Sequence, residues 1–199
     1  MLDRCVNGPA EVLDTTAVSQ PAIFVASMAA VEKLRQEEGD DAVGEATVTM
    51  GLSLGEYSAL CYAGAISFED GVRITKARGE AMQAASELTD SSMVSVIGLD
   101  STTVEELCAV ATEISGKKVQ IANFLCSGNY AVSGDTSACE VVEKIAKSDF
   151  GARMTVRLAV AGAFHTDFMA PAVDTLKVLM LLMLMMLITT SIHRHGSNL

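Results

Sequence analysis

Val48-Thr49-Met50-Gly51-Leu52-Ser53-Leu54-Gly55-Glu56 sets a serine between two glycines at G-x-S-x-G spacing, after a β-prone stretch and before a helix-prone one, Tyr57 to Ala65. This context predicts a nucleophile elbow. Reversal from strand to helix over so few residues strains the serine, and glycine two positions to either side is expected to let the backbones pass without Cβ clashes. Ser53 Oγ then stands exposed at a helix N-terminus. The backbone N–H of Leu54, lacking an acceptor within the helix, is the expected donor to a developing oxyanion.

The 199 residues can bury one good core, or one domain carrying a small inserted subdomain. Half of them are hydrophobic and a fifth charged, the balance of an α/β enzyme rather than of a disordered chain. The net charge of −11 argues against a nucleic-acid partner, because phosphate binding needs clustered Lys and Arg. Charge is uneven: residues 1–116 hold 19 acids and 6 bases, whereas 117–157 hold 4 acids and 6 bases (Lys117, Lys118, Lys144, Lys147, Arg153 and Arg157). That basic segment is either a solvated face or a docking patch for an acidic partner or a nucleotide phosphate.

Five scattered cysteines without a C-x-x-C pair read as small hydrophobes in a reducing compartment. Three histidines, two of them near the carboxyl end, form no metal-ligand constellation, and neither metal nor cofactor is expected. Met1-Leu2-Asp3-Arg4-Cys5 has no apolar h-region and no transit-peptide character, so no cellular address is read there. Val178 to Ile188 is an unbroken apolar run of eleven residues, too short to cross a bilayer and without amphipathic period. No membrane association is expected; the run is read as a buried strand or helix, or as sequence foreign to the fold.

Along the chain, Pro21 is expected to open a helix, capped by Ser19 or Gln20 and stopping near Gly39, with Asp40 to Gly44 as a turn. Ser67-Phe68-Glu69-Asp70 reads as a capping box opening a helix to about Glu87. On that helix Ile74, Ala77, Ala81 and Ala85 form a narrow apolar stripe, and Arg78 falls in its middle. Such an arginine must be paired, must reach a polar cavity, or must snorkel to the helix edge.

From Ser92 to Arg157 the pattern becomes strand (Met93–Leu99), helix (Thr103–Ile114), two strands (Val119–Phe124 and Tyr130–Ser133) joined at Ser127-Gly128-Asn129, helix (Ser137–Lys147) and strand (Arg153–Val160). This β-α-β-β-α-β order predicts a ferredoxin-like subdomain. The expected fold class is therefore α/β: an α/β-hydrolase-like core with a parallel sheet and a nucleophile elbow, interrupted by that insertion. Its divisions are residues 1–90 (core), 91–158 (ferredoxin-like subdomain), 159–177 (return to the core) and 178–199 (atypical apolar tail). His165, in Ala161-Gly162-Ala163-Phe164-His165-Thr166-Asp167-Phe168, lies where the chain returns. It is the candidate base for Ser53, since a serine nucleophile needs a group to take its proton.

Four stretches together resemble malonyl-CoA:acyl-carrier-protein transacylases: Gly51-Leu52-Ser53-Leu54-Gly55-Glu56-Tyr57-Ser58-Ala59-Leu60; Lys76-Ala77-Arg78-Gly79-Glu80-Ala81-Met82-Gln83; Gln120-Ile121-Ala122-Asn123-Phe124 with Gly128-Asn129-Tyr130-Ala131-Val132-Ser133-Gly134; and Gly162-Ala163-Phe164-His165. The resemblance covers about residues 5–176. It implies ping-pong transfer from malonyl-CoA through an O-malonyl Ser53, with His165 as base, to the phosphopantetheine thiol of acyl carrier protein. It further implies Arg78 as the clamp of the malonyl carboxylate, Asn123 and Phe164 as substrate-binding residues, a monomer, and a plastid or mitochondrial setting. A planar guanidinium answers a carboxylate bidentately, and acetyl would leave that cation unpaired. Leu52 stands where the common bacterial pattern has histidine, as in plant and algal members. The family's Gly-Gln-Gly-rich amino-terminal loop and the segment orienting the histidine are not found in this sequence, which reads as truncated at both ends.

Two other readings remain. An α/β-hydrolase esterase shares G-x-S-x-G but needs an acid between serine and histidine and an upstream H-G-G-G-type loop; Asp135 is the only acid placed on a loop, and no such upstream loop is present. A non-catalytic fragment could instead act as a carrier-protein binding module through its basic segment.

Overall fold

The computed structural model describes residues 2–178. Helices α1 (Leu2–Asn7), α2 (Ala10–Leu13), α3 (Thr16–Glu38), α4 (Asp40–Gly44), α5 (Leu54–Tyr62) and α6 (Phe68–Ser86) come first. They are followed by β1 (Ser91–Ile97), α7 (Ser101–Ser115), β2 (Val119–Cys126), β3 (Asn129–Asp135), α8 (Thr136–Ser148) and β4 (Met154–Arg157). A 3₁₀ turn at Asp167–Met169 leads into helical residues 170–178. Of the apolar run from Val178, all but that first residue lies outside the described residues.

Small residues spaced four apart on α6 let it lie close against α3. A Cβ on Gly71 would sit 2.2 Å from the Phe24 ring, and one on Gly79 would sit 2.6 Å from the Thr16 carbonyl oxygen. Between them Thr75 is fully buried and turns its hydroxyl back onto the Gly71 carbonyl at 2.8 Å. Thr16, Gln20 and Phe24 are the facing residues on α3, also spaced four apart, as two crossing helices with interdigitated ridges require. Phe24 is completely buried and stacks on Phe68, ring centroids 5.9 Å apart. Ser67 caps α6 through the Asp70 N–H at 3.1 Å, as its sequence pattern predicts.

Helix α3 begins five residues before the expected start at Pro21. Its amino end is held from outside, because the Gln83 side chain on α6 accepts the Thr16 N–H at 3.0 Å, so that Pro21 lies within the helix and only one intrahelical donor is lost. The Asp40–Gly44 turn is a short helix, and α5 starts at Leu54 with Ser53 at its N-terminus, as expected, but ends at Tyr62 rather than Ala65. Strand β4 stops at Arg157 instead of Val160.

The four strands form one sheet in the order β2-β3-β1-β4, and every neighbouring pair is antiparallel. The expected parallel sheet is thus not what the described residues build. The β-prone stretch leading to the elbow, residues 48–50, is irregular, with Val48 and Met50 exposed. A β-prone segment becomes a strand only beside a partner that takes up its N–H and C=O groups, and none of the described strands runs alongside it.

Alternation on the central strand β1 divides the sheet's two faces. Val94 and Val96 pack with Tyr130 and Val132 under Leu107 of α7 and Val142 of α8. On the other face Met93 and Ala131 meet Met82 and Ala85 of α6, together with Phe164 and Met169. This second cluster fastens the β-α-β-β-α-β unit to α6, and it anchors the loop that carries His165.

Candidate active site

Ser53 caps α5 at φ 55° and ψ −105°. Besides Ser53, His165 at φ 59° is the one non-glycine residue with positive φ among the described residues. Backbone of this kind costs roughly 1–3 kcal/mol per residue and persists where the surroundings over-determine it, often at functional sites. Here the two strained residues meet: His165 Nε2 lies 3.1 Å from Ser53 Oγ.

The elbow's tightness depends on Gly51. A Cβ there would lie 2.0 Å from the Gly55 carbonyl carbon and 2.1 Å from its oxygen. Gly55 itself corrects the symmetric expectation, since a Cβ on it would meet nothing within 4 Å; its backbone, not its missing side chain, is what Gly51 accommodates. Gly51→Ala is expected to lower stability by about 1–3 kcal/mol and to displace Ser53. Gly55→Ala, inside a helix, is expected to be neutral or stabilising by up to about 1 kcal/mol. Thermal melting of the two variants checks the contrast, and equal losses would contradict it.

The loop carrying His165 is pressed down by small residues. A Cβ on Gly162 would sit 2.7 Å from Ser86 Oγ and 3.0 Å from Ser91 Oγ. The Ala163 N–H donates to Ser91 Oγ at 3.0 Å, and Thr166 Oγ1 donates to the Ala163 carbonyl at 2.7 Å. These bonds hold the imidazole over the elbow. Partial burial lowers the His165 pKa from its ordinary value and the nearby Arg78 cation lowers it further, while Glu56 works in the opposite sense. The ring is therefore poised as a neutral acceptor at neutral pH.

Arg78 is buried rather than snorkelling, at 8 % exposure. Its Nη2 donates to Ser53 Oγ at 2.9 Å and its Nη1 donates to Gln20 Oε1. The Tyr57 ring centroid lies 5.5 Å from its Cζ. No carboxylate pairs with it among the described residues. Burial lowers its pKa from the usual guanidinium value, with Tyr57 and Glu56 acting against that; a guanidinium still remains charged at any ordinary pH.

The Leu54 N–H lies at the first position of α5, where no preceding turn supplies an acceptor, and the Leu54 side chain is buried. Phe164 is buried in the cluster with Met82, Met93 and Met169 and also lines a cleft of about 540 Å³ with Thr16, Gln20 and Val160. Asn123 stands at a β-bulge opposite Ala131, and its side chain makes no hydrogen bond to Ser53, Arg78 or His165. The structure thus gathers Ser53, His165, Arg78 and Leu54 at one point and leaves Asn123 outside their hydrogen-bond network. Gln20 and Tyr57 were not identified from the sequence. The i, i+4, i+8 spacing of Thr16, Gln20 and Phe24 against Gly71, Thr75 and Gly79 was the signal available for Gln20.

A serine hydroxyl between an imidazole and a buried cation, with a free N–H at the following residue, is equipped to accept and pass on an acyl group. The sequence matches the acyl transferase domain family over residues 1–195. The chain belongs to that family. This acyltransferase domain is 41% identical over 183 residues to the mitochondrial malonyl-CoA-acyl carrier protein transacylase of Mus musculus, covering 88% of this chain and 47% of that protein. Its fold superposes on the acyl-carrier-protein S-malonyltransferase of Bartonella henselae with TM-score 0.80 and 40% identity, over 90% of this chain and 56% of that one. A malonyl-transacylase solved in complex with a type II PKS acyl-carrier protein matches with TM-score 0.77 and 35% identity, over 89% and 55% of the two chains. The acyltransferase domain spans about half the length of these relatives. Within its basic segment, Lys118 is tied to Asp167 at 2.6 Å and Arg157 to Glu143 at 2.5 Å. Lys117, Lys144, Lys147 and Arg153 form no ion pair among the described residues.

Proposed function

We propose that this chain transfers a malonyl group from malonyl-CoA to the phosphopantetheine thiol of acyl carrier protein through an O-malonyl Ser53. The observation that carries the reading is the pair of contacts on Ser53 Oγ: His165 Nε2 at 3.1 Å and Arg78 Nη2 at 2.9 Å. Ser53 Oγ attacks the thioester carbon and its proton passes to His165 Nε2. The oxyanion forms against the Leu54 N–H, and on collapse the C–S bond breaks while His165 returns the proton to the departing CoA thiol. The carrier thiol then attacks the serine ester, with His165 taking and returning the proton in the reverse order. Arg78 exchanges its serine contact for the malonyl carboxylate, which it meets with two parallel N–H groups. Asn123 and Phe164 belong to the acyl-binding surroundings in this reading.

The relatives' names support the two substrates, and the solved transacylase in complex with an acyl-carrier protein supports the partner. The same reading takes residues 1–90 and 159–177 as parts of an α/β acyltransferase core and 91–158 as its ferredoxin-like insertion; strand order β2-β3-β1-β4 with a β-α-β-β-α-β sequence supports the latter. The chain is proposed to act as a monomer and away from membranes; no described helix is long and apolar enough to cross one. The mouse and human relatives are both named mitochondrial, so of the compartments implied by resemblance, the mitochondrion is the one proposed.

The test is exposure of the purified chain to malonyl-CoA followed by peptide mass spectrometry. A malonyl ester on Ser53 that disappears when carrier protein is added is the expected result. Binding of carrier protein without any adduct would make the chain a docking module instead, and rapid hydrolysis of short esters without malonylation would make it an esterase.

A further inference from the structure

We infer that Gln20 is a positioning residue that fixes the Arg78 guanidinium plane and, by being neutral, leaves its charge for a carboxylate substrate. The inference rests on the malonyl-transfer reading above. Gln20 is 9 % exposed and sits on α3, more than fifty residues from Arg78 in sequence. The two helices bring it within reach because Gly79, the residue after Arg78, has no side chain: a Cβ there would lie 3.2 Å from the Gln20 Cβ and 2.6 Å from the Thr16 carbonyl oxygen.

The guanidinium is held at both ends of its fork. Nη1 donates to Gln20 Oε1, and Nη2 donates to Ser53 Oγ. Once substrate arrives, the serine contact is given up for chemistry, and the Gln20 contact on Nη1 still holds the group. An unanchored guanidinium would rotate about its terminal bonds and present its two parallel donors only part of the time.

The acceptor's charge is as informative as its position. A buried arginine is ordinarily compensated by Asp or Glu, yet here the compensating group is an amide, and no carboxylate pairs with Arg78 among the described residues. An amide oxygen satisfies one N–H without cancelling the cation. A carboxylate at residue 20 would do both, and would compete with the acyl group's own free acid. Gln20 also lines a cleft of about 540 Å³ together with Thr16, Val160 and Phe164.

Steady-state transfer from malonyl-CoA and acetyl-CoA by the full chain, its Gln20→Leu variant and its Gln20→Glu variant tests this. In Gln20→Leu the KM for malonyl-CoA is expected to rise about tenfold with kcat changed less than about threefold, and acetyl transfer to change less than about threefold, the pattern of a lost contribution to ground-state binding. Gln20→Glu is expected to reduce malonyl transfer further, while again sparing acetyl. Equal losses on both acyl groups, or a malonyl KM unchanged in both variants, would overturn the assignment and leave the function reading standing. Absence of any malonylation in the unsubstituted chain would overturn that reading instead. Nitrogen-15 NMR of the Arg78 side chain needs no variant: two resolved Nη signals are expected for an anchored fork, and one averaged signal would overturn the inference whatever the variants do.

Discussion

His165→Ala is expected to lower the rate of Ser53 acylation at neutral pH by roughly 10²–10⁴-fold, the usual loss on removal of a positioned general base. The size of the effect follows from the elbow. Among the described residues Ser53 Oγ has two side-chain partners, and of these only His165 Nε2 can take a proton, because Arg78 is a donor without an acceptor atom. The imidazole is held there by its loop, and its depressed pKa sets the pH profile. A lowered pKa means that the neutral base prevails at neutral pH and is lost only as pH falls through the lowered value. The acid limb of kcat/KM for acylation by the unsubstituted chain should therefore lie below the ordinary imidazole value of about 6.5. Time-resolved mass spectrometry of the malonyl adduct measures both quantities. Near-normal acylation in His165→Ala would remove it from the mechanism.

The second large effect is on discrimination. Arg78→Ala is expected to lower malonyl transfer by roughly 10²–10⁴-fold while changing acetyl transfer little, since two hydrogen bonds to a charged partner are each worth about 1.5–3 kcal/mol. The same substitution should move the acid limb to higher pH. Arg78 depresses the His165 pKa by charge repulsion, and removing that cation makes the imidazole easier to protonate. A merely structural arginine would lower both acyl transfers equally and would leave no separate mark on the profile. The two substrates and the pH shift are read in one set of assays.

The bend at Ser53 and the capped start of α6 were legible in the sequence because each rests on a short motif whose local geometry is nearly self-sufficient. G-x-S-x-G announces a bend, and the gap of 2.0 Å between a Gly51 Cβ and Gly55 shows why one of its glycines is compulsory. Ser67 with Asp70 announces a capped helix, and the capping bond is formed. The β-prone runs Met93–Leu99, Val119–Phe124 and Tyr130–Ser133 announced three strands, and β1, β2 and β3 form there and pair. Arg78 was conspicuous as a charge in an apolar stripe. Local pattern could not say whether it would snorkel or be buried, since that depends on what lies across the helix.

What failed to be legible depended on neighbours distant in sequence. The early start of α3 is set by Gln83 reaching the Thr16 N–H from α6, a contact that no cap propensity encodes. The segment before Ser53 has the composition of a strand and yet is irregular, because pairing requires a second strand beside it and composition supplies only one side of a ladder.

The amino-acid sequence by itself determined the bend at Ser53, the capped start of α6, the positions of β1, β2 and β3, and the residue types available for acyl chemistry; these rest on steric and hydrogen-bonding preferences within a few residues. Only the tertiary structure decided that His165 and Arg78 converge on one hydroxyl from different elements, that Gln20 lies behind the guanidinium, and that Asn123 stays outside their network. Those outcomes depend on how closely α3, α6 and the sheet can approach, which side-chain volume and burial decide across the whole fold.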